Sequence, residues 1–233
     1  MSIQFPTVPW SQFTSGFKWS QGDHLLAVGE TKSGKTTLLS QIVPYRRFVV
    51  VFVTKSYDET FNNKKLWPGF TILREWNNRK AYNAEKVLLW PRPGKTIDET
   101  VALQETVFRK AMNDIYLERG WCVVVDEAQW CVDMLHLSTY LKTYQHQARS
   151  SGITNALGFQ RPSGIPVVAY GGSTHAFISR QVEDDDVKRL AGLGGIDAKV
   201  LRATLPQIPQ HHWLYLNKLA STGPILTKVE IRE

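Results

Sequence analysis

Eight residues, Gly29-Glu30-Thr31-Lys32-Ser33-Gly34-Lys35-Thr36, constrain this chain more than any other stretch. They satisfy the pattern G-x-x-x-x-G-K-[ST] at every fixed position. The apolar run before them, Leu25-Leu26-Ala27-Val28, reads as a buried strand. Thr36 to Val43 reads as a short helix ended by Pro44. A chance glycine-rich turn would not carry both flanks. Gly29 and Gly34 let the backbone curl so that its N–H groups face phosphate oxygens. The helix N-terminus adds partial positive charge. Residues Gly29 to Thr37 are therefore the expected cradle of a nucleotide, with Lys35 reaching the β- and γ-phosphates and the Thr36 hydroxyl on Mg²⁺.

A second piece follows downstream. Trp121-Cys122-Val123-Val124-Val125 is an apolar run that ends in Asp126-Glu127. This is the form of a Walker B strand. Asp126 would hold Mg²⁺ through its water shell. Side chains alternate along a strand, so Glu127 points differently and can polarise an attacking water as general base. The interval from Lys35 to Asp126 leaves room for another strand between the loop strand and the Walker B strand. That arrangement, with Glu127 beside Asp126, points to the ASCE branch of P-loop proteins, which hydrolyse ATP to do mechanical work. A third piece is Gln160, at the end of the expected strand Thr154–Phe159. Strand C-termini line the ligand crevice of an open parallel sheet, and an amide there could sense the γ-phosphate. An ordinary polar strand end is the alternative.

The rest of the chain bounds these readings. A length of 233 residues suffices for one sizeable α/β core, and 42% hydrophobic with 21% charged residues is a globular composition. The net charge of +7 suits an anionic partner such as nucleic acid. Cys122 and Cys131 have no metal-ligand spacing and read as buried thiols. No signal peptide is expected, and the Phe48–Val53 run is too short to span a bilayer. Residues 1–23 read as an extended arm packed by its aromatics, on its own core or else on a neighbouring subunit, and 24–233 as the domain. Phe48–Thr54 reads as a central parallel strand. Further strands are expected near Thr71–Leu73, Val87–Trp90, Val167–Tyr170, Ala176–Ser179 and Trp213–Leu216. Helices are expected over Asp98–Arg119, Met134–Arg149 and Glu183–Leu190. Two basic clusters, Asn62–Lys65 and Asn77–Lys80, could touch phosphates or simply be solvated.

The run Gln147-Ala148-Arg149-Ser150-Ser151-Gly152-Ile153, followed by Gly158-Phe159-Gln160-Arg161-Pro162-Ser163, resembles the stretch after Walker B in the FtsK/HerA family of DNA-translocating ATPases. Ala176-Phe177-Ile178 and Asp186-Val187-Lys188-Arg189-Leu190 are similar to that family's next strand and helix, so the resemblance covers about residues 24–195. It implies ATP at Gly29–Thr37, Mg²⁺ at Thr36 and Asp126, hydrolysis by Glu127 and γ-phosphate sensing by Gln160. It implies an arginine finger given to a neighbouring subunit, with Arg149 the first candidate and Arg161 and Arg180 the next. It implies a homo-oligomeric ring, hexameric or pentameric, that pulls double-stranded DNA. A motor without membrane-spanning or DNA-reading modules resembles the small genome-packaging ATPases of viruses. These would work in the host cytoplasm or at a packaging vertex, against capsid vertex proteins.

The expected fold is therefore α/β: a single RecA-like P-loop NTPase domain, its mostly parallel sheet flanked by helices, with antiparallel additions near the C-terminus. The rivals are a cellular or plasmid DNA-transfer ATPase, a filamentous-phage assembly ATPase, a nucleotide-switched scaffold and a nucleotide kinase. Glu127 disfavours the scaffold, since a pure switch needs no base.

Overall fold

Runs such as Val49-Val50-Val51-Phe52 and Cys122-Val123-Val124-Val125 are apolar on both faces, so they are stable only between two covering layers. The computed structural model, which describes residues 5–147, 149–191, 196–220 and 223–230, places them there. Residues 1–4 of the arm, Ala148, the 192–195 end of the family-like stretch and 231–233 lie outside the described residues. The chain begins with β1 (Thr7–Val8), α1 (Trp10–Gly16), β2 (His24–Val28), α2 (Lys35–Ile42) and β3 (Val49–Phe52). It continues through α3 (Glu59–Asn62), β4 (Thr71–Leu73), α4 (Asn78–Ala84), β5 (Lys86–Leu89) and α5 (Ile97–Glu118). Then come β6 (Cys122–Val125), α6 (Ala128–Asp133), α7 (Ser138–Gln147), β7 (Thr154–Phe159) and α8 (Val167–Gly172). It closes with β8 (Ser173–Ile178), α9 (Asp184–Ala191), α10 (Ala198–Thr204), β9 (His212–Asn217) and β10 (Ile225–Lys228).

One sheet holds all these strands, in the order β1-β10-β9-β8-β2-β7-β6-β3-β5-β4. From β8 to β4 every neighbouring pair is parallel. β9 is antiparallel to both β8 and β10. Alternation along the strands sorts the core. Leu26, Val28, Val50, Phe52, Val123 and Val125 pack with Phe108, Met112 and Ile115 of α5 on one face. Leu25, Ala27, Val49, Val51 and Val124 pack with Leu38, Leu39 and Ile42 of α2 on the other.

Four expectations need correction. First, the strand between the loop strand and the Walker B strand is β7, from downstream; β3, β4 and β5, from the long interval, lie beyond β6. Second, Val167–Tyr170 is helical. Pro166 fits the N-cap at φ −59°, and the turn buries Ala169 and Tyr170 while Val167 faces solvent. Third, Met134 closes α6, and His136 at φ 53° turns the chain before α7 begins at Ser138. Fourth, the arm contains α1. Phe13 meets Phe177 and Tyr215 edge-on, so the aromatics cover this chain's own sheet.

Candidate nucleotide site

The C-terminal ends of β2, β7, β6 and β3 open on the same edge of the sheet, because those strands are parallel. The segment between β2 and α2 turns there. Gly34 takes φ 89° and Lys32 φ 67°, left-handed values that curl the loop. Gly29 is required for a different reason. A β-carbon on it would lie 2.5 Å from Ser33 Oγ, 2.6 Å from Ser179 Oγ and 2.8 Å from Trp213 Cη2. Lys35 starts α2 only 8% exposed, and its ammonium has no hydrogen-bond or ion-pair partner among the described residues. A nearly buried cation without a counter-charge is costly, and an anion in the loop would remove that cost.

The Thr36 hydroxyl donates to Asp126 Oδ2 at 2.6 Å, which joins the start of α2 to the end of β6. The other carboxylate oxygen, Oδ1, is buried and without a partner. One hydroxyl and one carboxylate with a spare acceptor fit Mg²⁺, which takes few protein ligands beside phosphate and water. No cluster of three His, Cys, Asp or Glu suited to a metal occurs among the described residues.

Glu127 stands beside this pair. Gln160 Nε2 donates to Glu127 Oε1 at 2.8 Å, and the Thr31 hydroxyl donates to Gln160 Oε1 at 3.4 Å. The amide at the end of β7 thus spans from the phosphate-type loop to the second carboxylate. A cavity of about 1050 Å³ opens next to Glu127 and Gln160, bounded by Thr54–Tyr57 after β3, the start of α5 and α6. Gln104 of α5 supports its floor: its amide donates to Thr54 O at 2.6 Å and accepts from Trp130 Nε1 at 3.0 Å. Burial pushes the Cys131 thiol above its ordinary range, so it stays protonated and inert beside Glu127.

The arginines separate. Arg149 is not near its own chain's loop. Its Nη2 pairs with Asp23 Oδ1 at 3.1 Å, at the N-terminal edge of the sheet where β2 begins, and more than half of the side chain is exposed. Arg161 and Arg180 lie at the nucleotide edge, just beyond β7 and β8. Arg161 Nε bonds to the buried Asp186 carboxylate at 3.1 Å, and Arg180 Nε to Pro206 O at 3.2 Å.

Three neighbours of the loop are absent from the sequence reading as site residues: Ser179, His211 and Trp213. Each has a buried polar atom without a partner: Ser179 Oγ, His211 Nδ1 and Trp213 Nε1. His211 Nδ1 lies 3.0 Å from where a β-carbon on Gly34 would be. The signal was the antiparallel return: β9 starts where β8 ends, so the residues entering β9 must reach the loop.

No protein-family model matches this sequence, and no curated protein matches it. Solved structures do share the fold. The genome packaging NTPase B204 from Sulfolobus turreted icosahedral virus 2, in complex with AMPPCP, superposes with a TM-score of 0.63 at 14% identity, over 90% of this chain and 98% of that one. VirB4 of Thermoanaerobacter pseudethanolicus gives 0.64 at 10% identity, over 90% and 89%. The pCW3 conjugation coupling protein TcpA gives 0.51 at 14% identity, over 88% of this chain and 59% of that one.

Proposed function

We propose that this chain is a Mg²⁺-dependent ATPase that drives duplex DNA, most specifically a translocase that packages a viral genome. The observation that carries the reading is the pair of links Thr36–Asp126 and Glu127–Gln160–Thr31, which assembles the loop, both carboxylates and the sensor amide at one strand edge. The nearly buried, unpartnered Lys35 supports an anionic ligand. In this reading the loop N–H groups and Lys35 hold the phosphates, and Thr36 and Asp126 hold Mg²⁺. Mg²⁺ held there would supply charge neutralisation for the phosphates. Glu127 takes the proton of the attacking water, and Gln160 orients that carboxylate while reporting the γ-phosphate to the loop.

Arg149 completes the proposal in trans. It faces away from its own loop, so it can serve only a neighbour's site, and it would exchange Asp23 for phosphate when a homo-oligomeric ring forms. Arg161 and Arg180 are the alternatives. Among the described residues no helix is long and apolar enough to cross a membrane, and a filamentous-phage assembly ATPase would normally carry one. A plasmid DNA-transfer ATPase is the second reading, favoured by the TcpA and VirB4 likeness. Capsid-protein genes beside its own would separate the two.

The test is ATP hydrolysis with and without duplex DNA. Turnover should rise with DNA and vanish in Lys35→Ala. Glu127→Gln should retain ATP binding and lose hydrolysis, because an amide cannot accept the proton. Near wild-type turnover in Glu127→Gln removes Glu127 as base, and no turnover in the unmodified chain removes the ATPase reading.

A further inference from the structure

The sheet has a second working edge. At the N-terminal ends of β3 and β6, opposite the nucleotide site, a cleft of about 630 Å³ is lined by Arg46, Arg47, Arg119 and the rings of Tyr45, Phe48 and Tyr82. Its cations are held differently. Arg46 is fixed by donating to Trp19 O at 3.1 Å, with its guanidinium over the Trp19 ring. Arg47 makes two hydrogen bonds to Glu85, at 2.9 and 2.7 Å, and lies over Phe48. The Arg119 side chain is exposed and has no hydrogen bond or ion pair among the described residues. Glu85, beside Arg47, is engaged by it, and the lining carboxylate Glu118 accepts from Trp121 Nε1 at 3.2 Å.

Backbone geometry singles out the same place. Arg119 caps α5 at φ 66° and ψ 174°, a region that essentially only glycine occupies without strain. Glu85 caps α4 at φ 59°. Among the described residues the other positive-φ residues outside glycine are Lys32 and His211, both at the nucleotide loop, and His136. Glycine would hold this turn with less strain, so the Arg119 side chain can be removed without disturbing the backbone.

We propose that this cleft grips the phosphate backbone of duplex DNA, with the unpaired Arg119 guanidinium and the Tyr82 hydroxyl as donors to phosphate oxygens. A guanidinium fork matches two phosphate oxygens, and tyrosine hydroxyls are regular phosphate donors. The proposal rests on the DNA-handling reading and assigns it a surface. Such contacts carry no base specificity.

The experiment is Arg119→Gly in the full chain, with DNA binding followed by fluorescence anisotropy over a salt series. Glycine fits the backbone at 119, so this variant should melt at or above the temperature of the unmodified chain. It should bind a duplex of arbitrary sequence about fivefold more weakly, and the slope of log K against log salt should fall by about 0.9, the share of one phosphate. Tyr82→Phe should weaken binding less and leave the salt slope unchanged. ATP turnover without DNA should be unaltered in both, and its stimulation by DNA reduced in Arg119→Gly. Unchanged affinity and slope in Arg119→Gly, while the unmodified chain binds DNA, overturn the cleft alone. Absence of DNA binding by the unmodified chain overturns both the cleft and the DNA-handling reading. A defect confined to binding of poly-glutamate, with DNA binding intact, overturns it in favour of an acidic protein partner.

Discussion

A β-carbon on Gly158 would lie 2.4 Å from Asp126 O and 3.1 Å from Lys35 Cδ. This glycine on β7 is therefore what allows the end of β6 and the start of α2 to approach each other. Gly158→Ala should lower ATP turnover by about 10²-fold, the scale of a displacement near 1 Å, and cost about 2 kcal/mol of stability through overpacking. Single-turnover kinetics and urea unfolding measure the two effects. At the other edge of the sheet His24 and His175 are buried, and burial holds both at about 4, with Arg149 adding to the effect on His24. Their folded values lie below the ordinary value of 6.5, so the unfolded chain binds more protons between pH 4 and 6.5. Stability is complete above pH 6.5 and is lost as pH falls, by about 2 kcal/mol for each histidine at pH 5. Melting curves from pH 7.5 to 5 should show the loss, and His24→Asn should remove about half of the slope. The placement of Lys35, Thr36, Asp126 and Glu127 at the same strand edge was legible because their spacing and flanks are local. Ser179 and His211 were not, because their place beside the loop depends on which strands pair.

At the scale of elements, Gln104 ties three of them together. It sits on α5, holds the end of β3 through Thr54 O and receives the Trp130 indole from α6. Gln104→Leu keeps the volume and removes both bonds, so it should cost about 2 kcal/mol in urea unfolding. It should also slow hydrolysis, because α6 follows directly from Glu127. Replacement that leaves both stability and turnover unchanged would show that α6 is positioned by packing alone. Strand assignments from apolar runs held for β2, β3, β5, β6 and β7, where the run is buried on both faces. They failed at Val167–Tyr170, where two β-branched residues imitate a strand and Pro166 begins a helix. The order of strands was not legible either. Nothing local to Thr154–Phe159 says that it inserts between β2 and β6 rather than at an edge; its parallel pairing with both strands depends on residues far away in the chain.

At the scale of the molecule, the proposed trans finger makes a single chain incomplete. Arg149 and the loop it would serve lie at opposite edges of the sheet, so productive contact needs a second copy. Lys35→Ala and Arg149→Ala should each be nearly inactive, with the second down by roughly 10³-fold or more. Mixed under assembling conditions, they should regain partial hydrolysis. If mixed oligomers form and activity does not return, Arg161 and Arg180 are the next residues to exchange.

The parallel core also fixes how inhibitors should combine. Strands β3 and β6 run roughly 13 Å from the arginine cleft to the nucleotide edge, about 3.3 Å for each of their four residues. A polyanion at one end and a nucleotide at the other should therefore occupy one molecule together. Heparin should lower the maximal rate of DNA-stimulated hydrolysis while leaving KM for ATP unchanged. Double-reciprocal lines that meet on the vertical axis would instead mean that both ligands compete for a single edge.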